Sequence, residues 1–178
     1  MKLTFAQNAA FERFGTRITD QLRDAIKTKP ISNFGKSPVD ASGRLHDSVE
    51  FKVTDTGIQI LANDYIYYLE YGRKPSENDN AGGQKLYDVI LDWIDDKGIV
   101  PTDITKESLA FLITRKIHRE GTTIYRQHKG QSSGLIETAI TNDDILDLSD
   151  ELSDAMITMM TSEILKDLEL SELKISVE

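Results

Sequence analysis

Between Thr4 and Ala62 the apolar residues change period, and that change restricts the fold more than any other feature. Phe11, Phe14, Ile18, Leu22 and Ile26 recur every three or four residues, which predicts an amphipathic helix from Thr4 to Lys27, with Arg13, Arg17 and Arg23 on its polar side. Pro30, Gly35 and Pro38 then end the helical pattern, and the segment 27–42 reads as a mobile loop. From Ser48 the period becomes two: Val49, Phe51 and Val53, then Ile58, Ile60 and Ala62. Two such runs around Thr54-Asp55-Thr56-Gly57 predict a hairpin with one buried face, with Gly57 at positive φ in the turn.

Beyond the hairpin, Tyr65, Tyr67, Tyr68 and Tyr71 surround Ile66 and Leu69, and a polar, Gly-rich loop follows over 72–84. Leu86, Val89, Ile90, Trp93 and Ile94 predict a helix stopping at Gly98. Thr105 can cap another, with Leu109, Leu112, Ile113 and Ile117 as its buried face and Gly121 as its end. The segment 121–134 reads as a polar loop, flexible like 72–84 before it. An acidic helix then runs from Asn142 to about Leu168, its apolar positions being Ile145, Leu148, Leu152, Met156, Met160, Ile164 and Leu168. The alternation of Leu173, Ile175 and Val177 predicts a short final strand. The fold class expected is α+β: a small antiparallel sheet flanked by helices, with a long acidic C-terminal helix. Residues 1–141 form the main domain, and 142–178 pack on it.

Charge and composition narrow the chemistry. Residues 1–141 carry 19 Lys and Arg against 19 Asp and Glu, whereas residues 142–178 carry 2 against 11. The whole net charge of −9 therefore sits in the last segment, which argues against a generally cationic, nucleic-acid-coating surface. There is no cysteine, hence no disulfide, thiolate metal site or cysteine nucleophile. The first residues carry one Lys and no apolar block of the secretory kind, and no run reaches the length of a membrane span.

His46, His118 and His128 lack metal-ligand spacing and read as polar surface residues. The Asp and Glu residues at 143–154 lack the Gly and the closing Glu of a calcium loop, and read as the solvated, capped start of a helix. Neither a Gly-x-Ser-x-Gly elbow nor a phosphate-binding glycine loop is present. No catalytic residue, metal site or cofactor is therefore assigned, and the reading is non-enzymatic. One stretch is basic and aromatic together: Arg115, Lys116, His118, Arg119, Tyr125, Arg126, His128 and Lys129. It suits either nucleic acid or a protein partner, and the acidic segment of a neighbouring subunit is the partner its charge favours. Arg119, Tyr125, Arg126 and Lys129 are the interface candidates it supplies.

The order of three pieces resembles a known family. Gly43-Arg44-Leu45-His46-Asp47-Ser48-Val49, the hairpin, and Tyr67-Tyr68-Leu69-Glu70-Tyr71-Gly72-Arg73-Lys74-Pro75 look like the neck and minor-tail proteins of tailed bacteriophages. Trp93-Ile94, Lys97-Gly98, Leu109 to Ile113 and Arg115 to Thr122 continue the likeness, which spans Leu3 to Met160. The resemblance implies a virion structural protein at the head–tail neck, made in the host cytoplasm, with a helix packed on an antiparallel sheet. It further implies a homo-oligomeric ring, a hexamer ahead of a dodecamer. The ring would meet an adjacent neck or connector ring and tail-tube proteins, with DNA passing its lumen without specific binding and no membrane involved. Arg44, Tyr71, Gly72, Arg73 and Lys74 match the family's recurrent positions and are the fold-defining or interface residues it implies. Tail completion is the role expected. A tail terminator is the alternative within the family, and a small nucleic-acid-binding protein using Arg115–Lys129 the alternative outside it. A metal-dependent hydrolase using His118, His128 and the acidic segment is the remotest.

Overall fold

A computed structural model describes residues 3–28, 30–32, 35–38, 42–76 and 85–175, with side chains described outside 30–38 and 169–175. The first helix, α1 (Phe5–Thr28), is the spine. Its start is a capping box: Gln7 N–H donates to Thr4 Oγ1 at 3.2 Å, and Thr4 N–H donates to Gln7 Oε1 at 2.9 Å. The predicted stripe is the buried one, with Ile18 and Ile26 fully enclosed.

A second period lies one layer away. β3 (Glu50–Thr54) and β4 (Gly57–Leu61) pair antiparallel in the predicted hairpin, Phe51 opposite Ile60 and Val53 opposite Ile58. These four side chains are half-buried on one face, and Lys52 and Gln59 are exposed on the other. The hairpin lies so close to α1 that a Cβ on Gly15 would meet Phe51 Cγ at 2.6 Å and Ile58 Cδ1 at 2.7 Å. Gly57, by contrast, does not take positive φ: the turn residues Asp55 and Thr56 close the hairpin without a left-handed residue.

Short elements fill the ends of this layer. Before the hairpin come β1 (Pro30–Ser32), β2 (Gly35–Pro38) and α2 (Arg44–Ser48); after it come α3 (Tyr65–Tyr71), α4 (Leu86–Asp96), α5 (Lys106–Glu120), α6 (Thr123–His128), α7 (Leu135–Ala139) and α8 (Asn142–Ile175). The main core joins Leu22, Ala25 and Ile26 of α1 to Leu45, Val49, Leu69, Ile124, Leu135 and Ala139. Arg23 Nη2 donates to the Val49 carbonyl at 2.7 Å and ties α1 to the entry of β3. The α+β architecture with a long acidic final helix is the one expected.

Three segments differ from expectation. The loop at 27–42 contains β1 and β2, paired antiparallel from Pro30–Pro38 to Ser32–Gly35; strands of three and four residues are too short to display a period. The loop at 121–134 contains α6, which Thr122 caps by accepting from Tyr125 N–H and which buries Ile124 alone among its residues. At the C-terminus Leu173–Ile175 is helical, a continuation of α8 rather than a strand. A five-residue alternation cannot be told from one turn of an amphipathic helix. Ser176–Glu178 lie outside the described residues, as do 77–84 of the expected loop over 72–84.

The helices α4 and α5 stand somewhat apart. They pack on each other through Leu86, Ile94 and Ala110, with Gly98 at φ +61° ending the first, as predicted, and Thr105 capping the second by accepting from Ser108 N–H. No residue of this pair belongs to the main core. Leu112, expected to be buried, is 51% exposed, because the inward face is the one carrying Ala110 and Thr114.

Candidate functional site

Most of the sequence-selected residues meet where α3, α5 and α6 come together. Gly72 ends α3 at φ +74°, a conformation that strains any residue with a Cβ, and a Cβ there would also lie 2.6 Å from Tyr125 Cα. This close approach allows a backbone clamp between the two loops. Arg73 N–H donates to Thr122 Oγ1 at 2.9 Å, and Thr122 N–H donates to the Arg73 carbonyl at 2.9 Å. Three residues on, Ser76 N–H donates to the His118 carbonyl at 3.0 Å, and His118 Nδ1 lies 2.8 Å from Ser76 Oγ. His118 is thus a half-buried strut and not a surface histidine, and residues 72–76 are held by hydrogen bonds.

The aromatic and charged groups sit around this clamp. Tyr125 is half-buried, its ring against Gly130. Tyr71 is exposed and lies 4.9 Å from the Tyr67 ring between centroids; Tyr65, Tyr67 and Tyr68 are exposed as well, while Leu69 and Ile66 of the same helix face the core. Lys74 and Lys129 are exposed, the latter in the left-handed region at φ +52°. Arg119 and Arg126 both pair with Glu120, Arg126 Nη1 at 2.6 Å, and the Arg119 guanidinium, foremost, holds the Glu120 carboxyl below its usual range. The basic stretch is therefore partly neutralised within its own subunit.

Arg44 stands elsewhere. Its guanidinium spans from Ser42 Oγ at 2.9 Å to Asp96 Oδ2 at 2.8 Å, linking the start of α2 to the end of α4. It is a strut between the body and the α4–α5 pair.

The residue on which this region depends most is one that sequence reasoning passed over. Glu70 is 2% exposed, and its carboxylate accepts from Ser132 Oγ at 2.5 Å, Leu135 N–H at 3.0 Å and Ile136 N–H at 3.2 Å. It caps α7 from another helix, where Gly134 at the N-cap supplies no side chain. Nothing local signals a cap that comes from so far along the chain.

One acidic side chain of α8 departs from its expected solvated state, while Asp143, Asp147, Asp150 and Asp154 are exposed. Asp144 is buried: its carboxylate accepts from Thr141 Oγ1 at 2.6 Å and Thr141 N–H at 2.9 Å, while Asp144 N–H donates back to Thr141 Oγ1. The Thr141 hydroxyl first, then its backbone N–H and the Arg17 guanidinium, keep this carboxyl below its ordinary range. Arg17 Nε lies 3.2 Å from Asp144 Oδ1, Arg17 Nη1 lies 3.3 Å from Asp147, and Arg13 pairs with Glu151. Arg13 and Arg17 of α1 thus meet the first turns of α8.

Those pairings run antiparallel, so residue 151 of α8 sits by residue 13 of α1. Leu148, Leu152, Ala155 and Met159 are half-buried along the seam. Past them α1 has ended at Phe5, itself 91% exposed, and every side chain from Met160 to Leu168 is exposed. From residue 160 to Ile175 the helix overhangs by about 24 Å at 1.5 Å per residue.

Among the described residues no three His, Asp or Glu side chains gather as metal ligands, and no helix is long and apolar enough to cross a membrane. The chain matches no model of a known protein family, no curated protein and no solved structure.

Proposed function

We propose that the chain is a virion structural subunit of the head–tail neck, a tail-completion protein that joins the tail tube to the head connector as part of a homo-oligomeric ring. The observation that carries this reading is uncovered apolar surface in separate places: the α8 overhang with Met160, Ile164, Leu165 and Leu168, and the tyrosines of α3 beside the Arg73–Lys74 loop. Contiguous apolar surface of this kind marks a subunit that completes itself on partners. Two unlike faces on one chain suit the head-to-tail contacts that close rings. The order of the Gly43–Val49 segment, the hairpin and the Tyr67–Pro75 segment points the assembly reading to the phage neck.

The mechanism is binding. The clamp between residues 72–76 and 118–122 presents Tyr71, Arg73 and Lys74 on a fixed backbone, so little ordering entropy opposes docking there. Arg119 and Arg126 share Glu120, which lowers the free positive charge available to nucleic acid.

Light scattering of the purified chain, alone and mixed with neck and tail-tube proteins, tests the reading. A ring, alone or with those partners, supports it. A ring that stops tube polymerisation without the head connector makes the role that of a terminator. A monomer that ignores these proteins yet binds DNA with steep salt dependence, lost on Arg119→Ala with Arg126→Ala, overturns it.

A further inference from the structure

A second uncovered face lies on α5. Phe111, Leu112, Arg115, Lys116 and Arg119 are all exposed, and steps of one, three and four place them on one side of the helix. Phe111 is 57% and Leu112 51% exposed, while Ala110 and Thr114 are turned inward and buried. Arg119 is engaged with Glu120, but Arg115 and Lys116 make no ion pair among the described residues. The face is apolar at one end and cationic at the other.

The overhang of α8 has the complementary make-up. Met160, Ile164 and Leu168 follow one another at steps of four, and Glu163 and Asp167, also four apart, flank that stripe, with Lys166 on the far side at 100° per residue. We propose that the α8 overhang of one copy lies along the outer face of α5 of a second copy. Met160, Ile164 and Leu168 cover Phe111 and Leu112, and Glu163 and Asp167 face Arg115 and Lys116. This contact rests on the assembly reading. It is also what charge prefers: pairing the overhang with a second α8 would bring two acidic stripes together, whereas α5 offers apolar surface edged with cations. An apolar helix stripe with anchors at i, i+4 and i+8 is an ordinary mode of docking. Because the two surfaces differ, the contact is head-to-tail, and it leads round a ring if its rotation closes.

The lack of cysteine makes the test clean. Full-length Met160→Cys and Leu112→Cys chains are mixed and treated with a short bis-maleimide, alone and with neck and tail-tube proteins. Both positions are exposed, so each variant should melt like the parent. The expected product is a dimer containing one of each chain. Adding Arg115→Glu with Lys116→Glu to the Leu112→Cys chain should lower its yield about tenfold, and Glu163→Lys with Asp167→Lys on the other chain should restore it. Linkage of Met160→Cys chains only to one another, linkage only to a tail-tube protein, or a mixed dimer indifferent to charge overturns the contact. If a ring or neck complex forms while the two cysteines stay unlinked, the contact is wrong and the neck reading stands. If the chain neither links nor joins the neck proteins, both fall.

Discussion

The two long helices of this chain carry similar apolar spacing and meet opposite fates. On α1 the stripe from Phe11 to Ile26 is enclosed by the β3–β4 hairpin, α2, α7 and α8. On α8 an equally regular run is half-buried only at Leu148 and Leu152: Ile145 and Met156 are exposed although they lie alongside α1, and Met160, Ile164 and Leu168 are exposed past the end of α1. Periodicity therefore reports that a face is apolar and does not report what covers it. A buried stripe holds the fold together; an exposed one of the same spacing is the surface the proposed assembly covers.

The largest expected contrast breaks this comparison directly. Ile18→Ala, at a site with no exposure, should cost about 2–5 kcal/mol in urea unfolding. Ile164→Ala, at 58% exposure, should stay within about 0.5 kcal/mol while weakening association. A large loss at Ile164 in a monomer would mean that the overhang is covered within its own chain.

Next in size is Glu70→Ala. It leaves the N–H groups of Leu135 and Ile136 uncapped in a buried place and should cost about 1–3 kcal/mol. Glu151→Ala, which removes only an exposed pair with Arg13, should cost about 0–1 kcal/mol.

The seam between α1 and α8 should also respond to acid. The Asp144 carboxyl is held below its unfolded value of about 3.9, so its stabilisation is present above that value and is lost as pH falls through the lower, folded value. Thermal melts from neutral pH downward should show this loss, and Asp144→Asn should lower stability at neutral pH while flattening that part of the profile. The smallest effect belongs to Thr114. Its buried hydroxyl has no hydrogen-bond partner among the described residues, so Thr114→Val should be neutral or stabilising by up to about 1 kcal/mol in the same unfolding assay.

What was legible in the sequence follows from how local its cause is. The α1 stripe, the hairpin with its one buried face, the stop at Gly98 and the Thr105 cap arise from residues a few positions apart, and they stand as read. The strands β1 and β2, and the helices α6 and α7, are too short for a period to show. Glu70 capping α7, His118 holding Ser76, and Arg17 neutralising Asp144 are contacts between distant segments. A single chain read in order shows the residues but not the pairing. Of the candidate site, Gly72, Arg73 and Tyr125 meet as a structural joint, Tyr71 and Lys74 are displayed beside it, and Arg44 serves a different joint.

Amide hydrogen exchange along α8 separates the part packed on α1 from the overhang. In the isolated monomer, amides up to about residue 159 should exchange slowly and those from 160 to 175 quickly, and the fast set should become protected in the proposed assembly with neck proteins. Uniform protection in the monomer, or an overhang that still exchanges fast inside the assembled ring, would contradict the account.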